Sequence, residues 1–220
     1  MKNKKIILIN NFNLINNNRN FVFSAMNLSF LSFLCKKIIK IPNNYYLWCD
    51  GIVGKLLYNV KKTPGSSFIS YFYNKKYSKI IIIGNYTSTQ INFLKKKFKC
   101  KIQGIKIPLI KNNEIKSYAP KISKNNLILI TLPTPKQEIL AYEITKKNKN
   151  FKIICIGGGL SIATGEIKSC PEFLSNLGFE FLWRLRTDTY RRIKRLLVTS
   201  VLFIFYYVIG RIGKLRIIKA

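Results

Sequence analysis

The group best placed for acid–base chemistry in this chain is Asp50, in the run Trp48-Cys49-Asp50-Gly51. It is one of only two aspartates, follows the strand-like run YYLWC and precedes a glycine, so it belongs at the mouth of a sheet. Beside Trp48 and Cys49, desolvation would raise its pKa and suit it to take a proton from a sugar hydroxyl. An Asx turn or the cap of the following helix would use the same residue equally well. Three strand-like runs end in glycine-containing turns: WCDG at Trp48–Gly51, IIIGN at Ile81–Asn85 and CIGGG at Cys155–Gly159. If these strands are parallel, Gly51, Gly84, Gly157, Gly158 and Gly159 share one crevice in which phosphate or sugar can approach the backbone; otherwise each glycine merely closes a tight turn. LPTPKQE, at Leu132–Glu138, opens a helix after the run LILIT. Pro135 suits its first turn, and Gln137 and Glu138 would point back over the sheet end, where they can bond sugar hydroxyls or a nucleobase edge, or cap the helix.

Composition removes several chemistries. The 220 residues contain no histidine, which excludes a Ser-His-Asp triad, a Cys-His dyad, an HExxH site and any imidazole base. Only eight carboxylates are present, too scattered for a calcium loop or carboxylate cage, so no metal ligand set and no cofactor is expected. Five cysteines form no CxxC pair and argue against a disulfide framework, which fits a reducing cytoplasm. Neither GxGxxG nor GxxxxGK[ST] occurs.

The formal net charge is +31. Heavy use of Lys, Asn and Ile is what an AT-biased genome imposes on exposed positions, yet the charge still favours anionic partners. Arginine is distributed differently from lysine. Of eight arginines, Arg184, Arg186, Arg191, Arg192, Arg195, Arg211 and Arg216 lie near the C-terminus, as a bidentate diphosphate site or a generic basic helix face would require.

Alternation of strand-length apolar runs with amphipathic stretches predicts an α/β fold, a Rossmann-like, mostly parallel sheet with helices on both faces. The predicted strands are Lys5–Ile9, Tyr45–Cys49, Lys79–Ile83, Lys101–Ile105, Asn126–Thr131 and Lys152–Ile156. The predicted helices are Ala25–Ile39, Ile52–Val60, Phe68–Asn74, Ser88–Phe98, Pro135–Asn148 and Pro171–Leu177, with Lys106–Lys124 as a loop. MKNKKIILIN carries only a short apolar run and reads as a first strand, not a signal peptide. Leu196–Ile209, LLVTSVLFIFYYVI, is uncharged and lies between RRIKR and RIGKLR. As a helix it reaches about 21 Å, short of the roughly 30 Å hydrocarbon core. It reads as an interfacial anchor on an anionic leaflet, with a buried core helix and a tilted span as the other readings. The expected organisation is therefore a catalytic domain at 1–183 and a C-terminal helical, membrane-associating appendage at 184–220.

The CDG loop, PGSS at Pro64–Ser67, LPTPKQE, the run ICIGGGLSIATGEIKSCPEFLSNLGFEFLWRL at Ile154–Leu185 and the arginine-rich segment after it together resemble the WecG/TagA/CpsF family of glycosyltransferases, over roughly Ser24 to Arg195. The resemblance implies transfer of N-acetylmannosamine or a related sugar from a UDP donor to a polyprenyl-diphosphate-linked acceptor sugar, in cell-surface polysaccharide or teichoic acid linkage synthesis. It implies that Asp50 is the catalytic base. Ser24 and Asn27 resemble the family's T-x-N motif beside it, with serine for threonine and one extra residue of spacing. Gln137 and Glu138 match PxQE, Gly157, Gly158 and Gly159 match the glycine-rich loop near the nucleotide, Arg184 matches the arginine of LEWxxRL, and Arg191 and Arg192 fall in the basic continuation that completes the site over the diphosphate. The enzyme so implied is inverting and metal-independent, and works at the inner face of the cell membrane.

The chain departs from the family pattern at Ser161 in GGGLS, where GGxFD is usual, at Ser169-Cys170-Pro171 in place of RAP, at Thr187–Arg191 in place of QEPRR, and at Ser67, where an acid is usual. These changes bear on the polar groups that recognise the sugar. The other readings are a catalytically inactive member of the family and a basic nucleic-acid-binding protein. For the latter the chain has no RNP-like strand and no zinc-finger spacing, and no nucleic acid partner is expected.

Overall fold

Eight strands form one sheet in which every described pairing is parallel. The computed structural model describes residues 6–9, 20–63, 65, 72, 77–123, 125–171, 173, 174, 183, 189–213, 215 and 217–219, with the side chains of 189, 191, 192 and 219 excepted. The strands are β1 (Ile6–Leu8), β2 (Phe21–Met26), β3 (Tyr45–Cys49), β4 (Lys79–Gly84), β5 (Lys101–Lys106), β6 (Asn126–Ile130), β7 (Lys152–Cys155) and β8 (Ile217–Lys219), in the spatial order β5-β4-β6-β7-β2-β3-β1-β8. Helices are α1 (Leu28–Cys35), α2 (Ile52–Tyr58), α3 (Ser88–Phe98), α4 (Lys136–Lys147), α5 (Gly159–Ala163) and α6 (Thr189–Val208), with a 3-10 turn at Glu114–Tyr118.

Near-continuous apolar strands are what a sheet covered on both faces requires. β2, β3 and β6 are buried at every position. One face gathers Val22, Met26, Tyr45, Leu47 and Cys49 under α1 and α4, through Phe30, Leu31, Leu34, Leu140, Ala141 and Ile144. The other gathers Phe23, Tyr46, Trp48, Ile80 and Ile82 under α3 and α5, through Leu94, Phe98 and Leu160. The helices that follow β4 and β7 therefore cover one face and those that follow β6 and β2 the other. Crevices open between strands whose following helices diverge in this way.

The main correction concerns residues 21–27. The apolar stretch from Ala25 was expected to be helical, but Phe21–Met26 is the strand between β7 and β3, and the helix starts only at Leu28. Asn27 sets the boundary, because its Oδ1 accepts from Phe30 N at 3.0 Å and caps α1. β8 was not anticipated either; it pairs with β1 at the sheet edge. The expected helices Phe68–Asn74 and Pro171–Leu177 lie largely outside the described residues.

The 184–220 segment contributes β8 and α6. On α6, Thr199 and Tyr206 are buried and the helix lies against α1, where Ser32 Oγ donates to Thr199 O at 2.8 Å. The opposite stripe, Leu197, Val201, Ile204, Phe205 and Val208, is exposed, Val208 at 77%. Among the described residues no helix is long and apolar enough to cross a membrane.

Candidate active site

Because the strands are parallel, the segments that follow β2, β3, β4, β6 and β7 all emerge at one edge of the sheet. Asp50 stands one step beyond the register pair Met26–Cys49, with its backbone N–H on Met26 O at 3.1 Å, next to Asn27. It is half-buried, and the cap of α2 falls on Gly51, so Asp50 does not occupy the N-cap position. The charge of Asp50 acts on the adjacent thiol. Burial pushes Cys49 up to about 11, Asp50 pushes in the same direction, and Lys62 and Lys55 oppose it. Among the described residues no cluster of three or more Cys, Asp or Glu could hold a metal ion.

The turn after β4 needs glycine at Gly84, where φ is +125° and a Cβ would stand 2.7 Å from Thr131 Oγ1. Thr131, just after β6, donates to Asn85 O at 2.8 Å and so ties the β4 and β6 loops together. After β7, Ile156 and Gly157 both donate to Ile130 O, at 3.0 and 3.1 Å. At Gly158 a Cβ would meet nothing within 4 Å, whereas at Gly159 it would stand 3.1 Å from the backbone carbon of Gly65. Gly65 itself lies beside Trp48 and Ile156, so at this residue the chain reaches the glycine loop.

Ser24, Gln137 and Glu138, all buried, form a cluster with the half-buried Thr134 between β2 and the start of α4. Glu138 is 0% exposed, and its Oε1 accepts from Gln137 Nε2 at 2.8 Å, Ser24 Oγ at 3.0 Å and Thr134 Oγ1 at 3.1 Å. Gln137 Nε2 also donates to Thr134 Oγ1 at 3.2 Å. Burial raises the Glu138 carboxyl above the ordinary range, against the opposing pull of these hydrogen bonds. Cys155, whose thiol faces Gln137 O at 3.7 Å, and Tyr45 are both driven well up by burial, with Glu138 adding to each shift. Gln137 Oε1 and Glu138 Oε2 are buried with no hydrogen-bond partner among the described residues.

Of the residues singled out in the sequence, Asp50, Gly51 and Asn27 thus share the ends of β2 and β3. Gln137, Glu138 and the three glycines share the ends of β6 and β7, and Gly84 flanks them after β4. Ser24 lies inside the sheet layer beneath Glu138. Arg184 and Ser67 lie outside the described residues, as do the side chains of Arg191 and Arg192; the backbones of the last two belong to the first turns of α6.

A second polar group escaped the sequence reading. Gln90 Nε2 donates to Ser161 Oγ at 3.0 Å and to Glu166 Oε2 at 2.5 Å, and Thr87 Oγ1 bonds the other Glu166 oxygen. This group joins the N-terminus of α3 to α5. Of its members only Ser161 carried an advance signal, as the residue in GGGLS where GGxFD is usual; Thr87, Gln90 and Glu166 carried none.

In a comparison with protein families, the family described as "Glycosyl transferase WecG/TagA/CpsF family" matches residues 46–216, which takes in Asp50, Gln137, Glu138, the glycine loop and α6 and leaves out Ser24 and Asn27.

Proposed function

The chain belongs to the WecG/TagA/CpsF family of glycosyl transferases, and on that premise we propose that it moves an N-acetylmannosamine-type hexose from a UDP donor to a sugar hydroxyl on a polyprenyl-diphosphate carrier. The family places the chain in cell-surface polysaccharide synthesis, with a nucleotide-sugar donor and a lipid-linked acceptor in general terms. One observation supports the finer reading: a half-buried carboxylate, Asp50, and a glycine loop open at Gly158 leave the same edge of one parallel sheet.

The reaction is a single displacement. Asp50 takes the proton of the acceptor hydroxyl while that oxygen attacks the anomeric carbon. The bond to the UDP oxygen breaks on the opposite face, so the anomeric configuration inverts. Charge developing on the departing diphosphate is met by arginines of the C-terminal segment and by the backbone N–H of Gly158 in the loop after β7, without a metal ion. Asn27 stands beside Asp50 on the acceptor side, and Gln137 with Gly157–Gly159 on the donor side.

The exposed stripe of α6 is read as the surface that rests on the membrane and brings Asp50 to a lipid-borne acceptor. Support comes from its apolar side chains between the basic runs at 191–195 and 211–216.

Removing a general base typically costs about a hundred- to ten-thousand-fold in rate. Asp50→Asn should lose turnover on that scale, measured by mass as transfer from UDP-N-acetylmannosamine to a polyprenyl-diphosphate-N-acetylglucosamine acceptor, while UDP binding persists. Full activity in Asp50→Asn would remove Asp50 from the chemistry. Activity unchanged by EDTA is expected, and its loss with rescue by a divalent ion would overturn the metal-independent step.

A further inference from the structure

We infer that Glu138 is a positioning residue that fixes the Gln137 carboxamide so that Gln137 Oε1 is presented beside Gly157 as an acceptor for an O–H or N–H group of the nucleotide-sugar donor. The inference rests on the donor reading above and assigns Glu138 a role that does not involve touching substrate.

Glu138 is sealed off: it has no solvent exposure, and three donors from two elements converge on its Oε1. Ser24 reaches it from the central strand β2 and Thr134 from the turn before α4, so the carboxyl is pinned from both sides. A carboxamide has two orientations, and here only one is compatible with its neighbours. With Nε2 toward Glu138 Oε1 and Thr134 Oγ1, the donor meets two acceptors, at 2.8 and 3.2 Å. The flipped form would set Gln137 Oε1 against the carboxyl oxygen, acceptor against acceptor. The pinned Glu138 therefore forces Gln137 Oε1 to the other side. There it stands 3.6 Å from where a Cβ of Gly157 would lie, buried and without a hydrogen-bond partner among the described residues. Buried acceptors are normally paired, and an orphan beside a glycine loop open at Gly158 is an acceptor reserved for a ligand.

The test is steady-state kinetics with UDP-N-acetylmannosamine and the polyprenyl-diphosphate-N-acetylglucosamine acceptor. Gln137→Ala should raise the donor KM about tenfold, the scale of one lost hydrogen bond, with the acceptor KM unchanged. Glu138→Ala should raise donor KM similarly, and the double variant should be no worse than the worse single one, because Glu138 acts through Gln137. Glu138→Gln keeps an acceptor at Oε1 and should stay within about threefold of the wild type. Thr134→Val gives the same reading where Glu138→Ala does not fold: its KM rise should vanish in the Gln137→Ala background. Effects that multiply in either double variant, or a Glu138→Gln as impaired as Glu138→Ala, would overturn this inference alone. A wild-type protein that neither binds nor turns over the donor would overturn the donor reading and this inference with it.

Discussion

Gly158 and Gly159 are neighbours in the loop after β7, and a methyl group on each should do opposite things. Gly158 has φ −78° and ψ 3°, ordinary for any residue, and its added Cβ meets open space. Gly158→Ala should therefore stabilise slightly, by about 0.4–1 kcal/mol through the unfolded chain, a rise of roughly 2 °C in melting temperature for a chain this long. Gly159→Ala puts Cβ 3.1 Å from Gly65 C, 3.3 Å from Gly65 O and 3.1 Å from Ile156 Cγ1. Backbone cannot rotate aside, so overpacking of about 1–3 kcal/mol outweighs or cancels the roughly 1 kcal/mol of helix propensity gained over glycine. The net is a loss of about 0–2 kcal/mol. Scanning fluorimetry reads both changes, and donor KM reads function. If the loop cradles the donor, Gly158→Ala raises donor KM about tenfold or more, the scale of a lost polar contact, while the protein melts no earlier. An unchanged KM in that variant refutes the cradle, and a Gly159→Ala protein more stable than the wild type refutes the packing of Gly65 against the loop.

Other measurements follow from the same geometry. A carboxyl whose folded pKa lies above its unfolded value of about 4.5 loses stability as pH rises past that value, since the unfolded chain ionises first. Stability of Glu138→Gln relative to the wild type should therefore grow between pH 4.5 and pH 8 in denaturant melts; a pH-independent difference contradicts a raised carboxyl. Cys49, pushed up to about 11, and Cys155, driven well up by burial, should resist a thiol reagent at pH 8 until the protein unfolds, and fast labelling of either would place it at the surface. Leu197→Gln, Val201→Gln and Phe205→Gln together should reduce sedimentation with anionic vesicles without lowering the melting temperature, since all three are exposed. Equal vesicle binding would end the membrane reading of α6. Cutting the chain after Arg195 would not test it cleanly, because Tyr206 and Ile212 are buried and β8 completes the sheet.

The fold was legible where periodicity and turn chemistry agreed. β3 and α3 fall where they were expected, because YYLWC ends in Asp-Gly and Ser88–Phe98 carries a regular apolar face after its Thr87 cap. Phe21–Cys35 was not, since a buried strand running directly into a buried helix offers one long apolar stretch with no period to divide it. Asn27 was the available boundary mark, and it entered the reading through a motif instead of as a cap. β8, three residues long, has too little pattern to announce itself. Of the candidate site, motif residues were visible one at a time, but the bond from Ser24 to Glu138 spans 114 positions. Local spacing says nothing about such a partner.

The strand order has one more consequence. β1, β2 and β3 form one half of the sheet with β8, β4 to β7 form the other, and β2 against β7 is the seam between them. Asp50 and Asn27 stand on the first half, Gln137 and the glycine loop on the second, and the Ser24–Glu138 bond stitches across. The two sides of the proposed reaction thus become neighbours only when the halves close, a long-range event that a parallel sheet makes late and slow. On the proposed reading, a shift along this single line would alter the gap between Asp50 and the glycine loop while leaving each half intact.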